Sequence, residues 1–254
     1  MNKTLKEFER LLDIMDKLRE KCPWDSKQDN ESLRTLTIEE TYELADAILE
    51  NNNKDICGEL GDLLLHIVFY AKIGEEKKEF NMYDVIKKIN EKLIYRHPHI
   101  FKNLKVKDSK EVEENWENLK IKEGKKVLEG IPKSMPAMIK ALRIQDKVRG
   151  VGFDWENKEQ VWGKFMEEYN ELMSEIKQTN NPKIENEFGD LFFSLINAAR
   201  LYGINPENAL EKTNRKFISR FNYLESKTIS KGNNLKNMSL DCMNKIWEDA
   251  KDKE

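Results

Sequence analysis

The sequence is poor in the residues that interrupt helices, with 11 glycines and 6 prolines among 254 residues. Together they make up about 7% of the chain, against roughly 12% in an average protein. Sheets need many turns and long helices need few, so this shortage favours helices over strands. Apolar residues recur at helical spacing in several segments, and sustained apolar/polar alternation is absent from the sequence. The sequence therefore predicts an all-α fold.

Cysteine and histidine are scarce as well, with three residues of each type. Cys22, Cys57 and Cys242 lie far apart and are odd in number, so they support neither a disulfide framework nor a CxxC metal site. Zinc chemistry based on histidine ligands is not expected from so few histidines. These shortages indicate a protein of the reducing cytoplasm.

The chain has no large excess of charge of one sign, because 44 basic and 47 acidic side chains leave a formal net charge of -3. Nucleic-acid binding would call for a basic stripe, so we expect no nucleic-acid partner. No apolar run reaches the roughly 18 residues of a membrane span. Residues 1–21 are charged throughout and lack the apolar core of a signal peptide. We therefore expect a cytoplasmic protein with no membrane partner.

The sequence contains an internal repeat in which acidic residues recur at a constant distance. IEETYEL at 38–44 returns as MEEYNEL at 166–172, and ELGDL at 59–63 returns as EFGDL at 187–191. The shift is 128 residues in both cases, from 38 to 166 and from 59 to 187. A repeat of this kind indicates that the chain holds two copies of one structural unit.

Two later matches keep the same order in both copies. NEKLIYR at 90–96 corresponds to NRKFISR at 214–220, and WENLK at 116–120 corresponds to WEDAK at 247–251. Four ordered matches are very unlikely to arise by chance. The duplication therefore extends over most of the chain.

A turn-rich stretch separates the two copies. Residues 128–136, LEGIPKSMP, hold two prolines beside a glycine. Each copy then contains an entry helix, two helices with the acidic pairs, and a last helix with the basic and tryptophan positions. The sequence thus predicts two tandem domains of roughly four helices each, residues 1–129 and 130–254.

Acidic residues of the second copy are predicted to converge on one cleft. Glu167, Glu168 and Glu171 fall within an arc of about 100° on one helix. Glu187 and Asp190 lie about 60° apart on the next helix, which a short connection would pack antiparallel to the first. Carboxylates without histidine or cysteine select Mg²⁺, with Mn²⁺ as a possible substitute. Because Mg²⁺ leaves coordination positions open for phosphate oxygens, a polyphosphate is the expected substrate.

An isolated EExxE pattern on a helix is usually only a solvated face, but two observations favour a site here. The ExGD pattern lies beside an apolar run that begins at Phe188, where charge is costly unless it is paired or metal-bound. Both patterns also occur twice at the same spacing. The mid-helix glycines Gly61 and Gly189 are unfavourable by about 1 kcal/mol, and we interpret them as permitting close helix approach.

Basic residues near the end of the second copy extend this interpretation. Lys216 and Arg220 are four residues apart on one predicted helix and could meet phosphate oxygens, with Arg220 using a bidentate fork. An ordinary surface pair is the alternative. Trp247 could stack on a base or belong to the core.

The patterns together resemble the MazG nucleoside triphosphate pyrophosphohydrolases. CPWD at 22–25, RHPHIF at 96–101 and VGFDW at 151–155 add to the tandem EExxE and ExGD patterns. The resemblance covers essentially the whole chain. It implies two MazG-like bundles, a homodimer, and Mg²⁺-dependent hydrolysis of many ribo- and deoxyribonucleoside triphosphates to monophosphate and pyrophosphate. It also implies nucleotide-pool housekeeping.

The resemblance further implies roles for residues of the second copy, which would carry out the hydrolysis. The implied metal ligands are Glu168, Glu171, Glu187 and Asp190. The implied nucleotide contacts are Lys164, Glu167, Lys183, Lys216, Arg220 and Trp247. Among the catalytic residues Glu167, Glu168 and Glu171, we assign the general base to Glu167.

The first copy keeps the acidic residues but lacks two cations. Its carboxylates form a second possible metal site, at Glu39, Glu40, Glu43, Glu59 and Asp62. Applying the shift of 128, Leu36 stands where the second copy has Lys164, and Asp55 stands where it has Lys183. We therefore expect weak or no hydrolysis in the first copy, and a role in dimerisation.

Two other interpretations stay open at this point. One is a narrower relative in the same all-α superfamily, acting on dUTP, dCTP or phosphoribosyl-ATP, which substrate profiling would reveal. The other is a helical regulatory binding module with a vestigial metal and nucleotide site, which would release no pyrophosphate. The tandem copies argue against the first, and the intact carboxylates and cations of the second copy argue against the other.

Overall fold

A computed structural model describes most of the chain. The described residues are 2–108, 111, 112, 115, 116, 119, 124, 126–178, 181–230 and 234–251. They form ten α-helices and no strand. None of these helices combines the length and the apolar character that crossing a bilayer requires. The WENLK segment at 116–120 lies partly outside the described residues.

The chain folds as two compact units, Met1–Lys105 and Val106–Glu254. The helices of the first unit are α1 (Lys3–Lys21), α2 (Asn30–Leu49), α3 (Asn53–Glu76), α4 (Met82–Arg96) and the single-turn α5 (Pro98–Phe101). The helices of the second unit are α6 (Ala137–Arg149), α7 (Lys158–Gln178), α8 (Asn181–Leu201), α9 (Pro206–Ile229) and α10 (Leu240–Lys251). Residues 106–129 belong to the second of these units, and a domain boundary at 129/130 stays a prediction.

Side-chain caps and one asparagine turn define the hairpin of α2 and α3. Asp29 caps α2 by accepting hydrogen bonds from the backbone N–H groups of Glu31 and Ser32, at 2.9 and 2.8 Å. Between the helices, Asn51 adopts a φ of 54°, a conformation that asparagine tolerates better than most residues. Asn52 then caps α3 with its side-chain oxygen. The chain therefore reverses direction within three residues.

The helices α2 and α3 form an antiparallel pair with a compact core. Thr37, early in α2, bonds to His66 and Tyr70, late in α3, at 2.9 and 2.7 Å. The helix α1 packs against α3. The core of this unit consists of Met15, Leu33, Val68, Phe69 and Ile73.

The helices α7 and α8 repeat this arrangement in the second unit and pack together more extensively than any other pair. Near the start of α7, the indole N–H of Trp162 donates to the hydroxyl of Tyr202, just past the end of α8, at 3.1 Å. At the other end of the pair, Lys183 lies 3.5 Å from Glu175. These contacts establish that the two helices are antiparallel. The helix α6 packs on α8, and α10 packs on α9.

The interpretation of the two mid-helix glycines is wrong. A Cβ atom added at Gly61 or Gly189 would meet no atom within 4 Å. Neither glycine lets another helix of the chain approach. Close approach occurs instead at Gly74, where an added Cβ would lie 2.7 Å from the Phe80 ring.

Because Gly61 occupies open space inside α3, its replacement by alanine is expected to stabilise the protein. The gain should be about 0.5–1 kcal/mol, since alanine loses less backbone entropy in a helix. Urea denaturation of the variant and the wild type measures the difference. A loss of stability would mean that another molecule contacts α3 at this position.

Candidate active site

Carboxylates of the second unit gather between α7 and α8. Glu168 and Glu171 on α7 and Glu187 on α8 each bring one oxygen within 4.8 Å of the others. Glu168 is buried, with 8% of its surface exposed. Asp190 follows Glu187 by one helical turn and lines the same pocket as Glu168. The structure thus brings three of the predicted metal ligands into one cluster and places the fourth beside it.

Helical periodicity explains why these acidic residues face the seam of the hairpin. Val161, Glu168 and Leu172 are spaced by seven and four residues, so they share one face of α7, and all three are buried. On α8, Glu187 precedes the buried Ser194 by seven residues and shares its face. A stripe that is otherwise apolar or small therefore carries one acidic residue of each helix into the packed seam.

The electrostatics of Glu187 indicate that the cluster suits a cation. Burial, and then the neighbouring carboxylates of Glu171, Asp190 and Glu168, raise the pKa of Glu187 above its usual range. Its Oε2 atom is buried and has no hydrogen-bond partner. Buried polar atoms are nearly always paired, and mutually repelling carboxylates are stabilised by a bound cation. The donor set, made only of carboxylate oxygens, fits Mg²⁺ or Mn²⁺.

The stability of the metal-free protein is expected to depend on pH through Glu187. A raised pKa means that the folded chain holds this proton more tightly than the unfolded chain does. The stability from this group is therefore present below the usual glutamate pKa of about 4.3 and is lost as the pH rises through the raised value. In the presence of a chelator, Glu187→Gln should be more stable than wild type near pH 7 and equal to it near pH 4.

Urea denaturation across this pH range measures the effect. A gain that is the same at both pH values would trace it to packing instead of charge. Added Mg²⁺ should stabilise the wild type more than the variant, because a ligand that binds only the folded state stabilises it by mass action.

Lys164 is the cation closest to the cluster. Its Nζ atom lies 2.9 Å from Glu167 Oε1 and 2.8 Å from Glu168 Oε1. The hydrogen bond to Glu168, followed by the one to Glu167, raises the pKa of Lys164 well above its usual range. The ammonium group therefore stays charged at any physiological pH, at the edge of the carboxylate cluster.

Glu175 joins the site although it is absent from the predicted set. Its side chain is 16% exposed, lies 3.5 Å from Lys183 Nζ, and has an Oε2 atom that is buried without a hydrogen-bond partner. The spacing of Glu168, Glu171 and Glu175, at i, i+3 and i+7, could have indicated one helix face. In the first copy Ala47 stands at the equivalent position, 128 residues earlier. The acidic line is therefore longer in the second unit.

The remaining predicted nucleotide contacts lie on α9 and α10. The Arg220 guanidinium carbon is 5.9 Å from the centroid of the Trp247 ring, and the Phe217 ring is 4.9 Å from it. Lys216 is exposed and Trp247 is half-buried. The Phe217 contact gives Trp247 a packing role, and its contact with nucleotide stays a prediction.

The first unit has an equivalent carboxylate cluster. Glu40, Glu43 and Glu59 bring their oxygens within 4.8 Å of one another. Burial and neighbouring carboxylates raise the pKa of both Glu40 and Glu59, and Glu59 Oε2 is buried without a hydrogen-bond partner. Glu39 and Asp62, the other predicted members, are exposed.

Different side chains surround this first cluster. Leu36, at the position of Lys164, is half-buried and packs against the core. Asp55, at the position of Lys183, accepts a hydrogen bond from Asn52 at 2.5 Å. The first unit therefore has the acidic geometry of the second without cations at these two positions.

A pocket of about 450 Å³ opens beside the cluster of the second unit. Lys164, Glu168 and Asp190 line it together with residues of α6, of α8 and of the turn at 150–157. The Arg200 guanidinium of α8 donates two hydrogen bonds to Asp154 and holds this turn in place. The volume lies in the range of small-molecule pockets, about 300–1,000 Å³.

The fold and the site define a class of all-α proteins that carry carboxylate clusters, suited to a divalent cation, on paired antiparallel helices. The model of the MazG nucleotide pyrophosphohydrolase domain matches this chain twice, at residues 28–101 and 157–224. The chain belongs to the MazG nucleotide pyrophosphohydrolase family. The predictions of an all-α tandem fold, of this family and of a hydrolase acting on nucleotide pyrophosphate bonds are confirmed.

Individual relatives agree over nearly the whole length. The chain is 38% identical over 260 residues to the nucleoside triphosphate pyrophosphohydrolase of Escherichia coli strain K12, with 98% of this chain and 99% of the relative covered. It is 43% identical over 247 residues to the nucleoside triphosphate pyrophosphohydrolase/pyrophosphatase MazG of Thermotoga maritima, with 96% and 95% covered. Enzymes of this family generally depend on a divalent metal ion.

Proposed function

We propose that this hydrolase acts on nucleoside triphosphates of many bases and that it uses Mg²⁺ at the carboxylate cluster of the second unit. Water would add across the anhydride bond between the α- and β-phosphates, giving a nucleoside monophosphate and pyrophosphate. The observation that supports this best is the buried, unpartnered oxygen of Glu187 inside a cluster bordered by the charged Lys164.

Four acidic residues would hold the ion. The proposed ligands are Glu168, Glu171, Glu187 and Asp190. When bound, Mg²⁺ supplies Lewis-acid polarisation of a phosphoryl oxygen, and Mn²⁺ is the expected substitute.

Glu167 is the residue proposed to orient the attacking water and to accept its proton at a carboxylate oxygen. It is exposed, so water and substrate can reach it, and it follows directly on the helix before the ligand Glu168. Its hydrogen bond from Lys164 holds the carboxylate beside the cluster. Glu167 is thus placed next to the proposed metal without being buried with it.

Basic side chains would neutralise the polyphosphate and the pyrophosphate that leaves. The proposed contacts are Lys164, Lys183, Lys216 and Arg220, with Trp247 against the nucleoside. Lys164 and Lys183 border the two ends of the acidic line on α7, since they pair with Glu168 and Glu175. A triphosphate lying along this line would meet a cation at each end.

We also propose that the first unit binds metal but hydrolyses weakly or not at all, and that it serves dimerisation. Leu36 and Asp55, at the positions of the two lysines, support this division of roles. A homodimer, a cytoplasmic location and nucleotide-pool housekeeping complete the proposal.

Incubation of the protein with a panel of ribo- and deoxyribonucleoside triphosphates and Mg²⁺, followed by chromatography, tests the reaction. Monophosphate and pyrophosphate are expected from several bases, and none after chelation of the metal. Diphosphate and orthophosphate would contradict the proposed bond. Nucleotide binding that needs metal but releases no product would instead support the regulatory binding module.

A further inference from the structure

The pocket beside the second cluster has two chemically different parts. One part is made by Lys164, Glu168 and Asp190, and these belong to the proposed metal and phosphate site. The other part is largely apolar, with aromatic walls from Phe153, Trp155 and Phe193. A molecule with phosphates at the first part would therefore extend its remaining atoms into the second.

One polar side chain in this second part is buried and incompletely bonded. Gln145 of α6 lines the pocket and is only 3% exposed. Its Nε2 atom donates a hydrogen bond of 2.8 Å to the carbonyl oxygen of Phe193. This bond fixes the orientation of the amide, because a flipped amide would place two acceptors against each other. Its Oε1 atom is left buried without a partner.

We propose that this pocket holds the base of the nucleotide and that Gln145 Oε1 accepts a hydrogen bond from an N–H group of that base. The inference rests on the proposed function. Aromatic walls suit a flat base, since stacking on an aromatic ring contributes about 1–3 kcal/mol per base. A buried acceptor is costly when unpaired, so it favours a ligand that brings a donor.

A single acceptor accounts for recognition of many bases. Adenine and cytosine carry an amino group on the edge used for base pairing, guanine carries an amino group and a ring N–H there, and uracil and thymine carry a ring N–H. Each of them can therefore satisfy Gln145. A base without any donor on this edge cannot, and the pocket should reject it.

Wild-type enzyme should be compared on ATP and on purine riboside triphosphate, in which hydrogen replaces the 6-amino group. We expect kcat/KM to be about 10- to 100-fold higher for ATP, because the analogue leaves Oε1 unpaired. Gln145→Met keeps the size of the side chain and removes the acceptor, so it should bring this ratio close to one. Gln178→Met, the same change at an exposed position on α7, should keep the wild-type ratio.

A wild-type ratio near one overturns the proposal without any variant, and so does a ratio that Gln145→Met leaves unchanged. Release of pyrophosphate from ATP in the same assays shows that the proposed function holds even then. If the wild type hydrolyses no nucleotide, the proposed function is wrong. The pocket is then judged by equilibrium dialysis of AMP and purine riboside monophosphate, where equal affinities would overturn it.

Discussion

Glu168→Gln is expected to lower kcat/KM for nucleoside triphosphates by at least about 100-fold while the helix content stays unchanged. Loss of a residue that only supports a metal ligand typically lowers affinity or activity by about 10- to 100-fold, so loss of a ligand should exceed this. Glu168 is the most buried member of the cluster and also bonds to Lys164 at 2.8 Å. The amide keeps the shape of the side chain but removes its charge.

The first unit provides a matched control. Glu40 is the counterpart of Glu168, 128 residues earlier, and belongs to a cluster of the same geometry. Glu40→Gln should keep most of the activity. Steady-state kinetics with circular dichroism on both variants measures the contrast. Full activity in Glu168→Gln would remove Glu168 from the metal ligands, and loss in both variants would mean that the two copies cooperate.

Lys164→Met is expected to reduce kcat/KM by about 10²- to 10³-fold, the usual effect of removing a charge-stabilising donor from a preorganised site. The ammonium group of Lys164 lies between Glu167 and Glu168 at the edge of the pocket, where phosphate charge would develop. Methionine has a similar length without the charge. Lys164→Arg should restore activity only in part, because guanidinium is planar and ammonium is compact.

Lys177→Met, on the exposed last turn of the same helix, is the control and should behave like the wild type. A titration with Mg²⁺ separates two roles of Lys164. If high Mg²⁺ restores the activity of Lys164→Met, the lysine organises the carboxylates. If it does not, the lysine acts on the phosphates, as we propose.

Local spacing predicted the fold and the core of the cluster well. The all-α class followed from the shortage of breakers and from helical periodicity. The convergence of Glu168, Glu171 and Glu187 followed from two short patterns on adjacent helices with a short connection. Such features are readable because a helix places its side chains by a fixed rotation per residue, and a tight turn leaves antiparallel packing as the simplest outcome.

Other parts of the site depend on distant segments that no local spacing reveals. Gln145 reaches the pocket because α6 packs on α8, and Phe153 reaches it because Arg200 holds the preceding turn through Asp154. The wrong interpretation of Gly189 has the same origin. Whether a glycine is crowded depends on what packs against it, and nothing in the chain does.

The core packing of Leu36 has a consequence for how the two copies diverged. A lysine at this position would place a cation beside the first carboxylate cluster, as Lys164 does in the second. It would also withdraw apolar surface from the core around Met15 and Leu33, forfeiting part of the roughly 1.5–3 kcal/mol that a buried leucine contributes. Reversion at Leu36 is therefore opposed by folding, so that the specialisation of the first copy is evolutionarily entrenched.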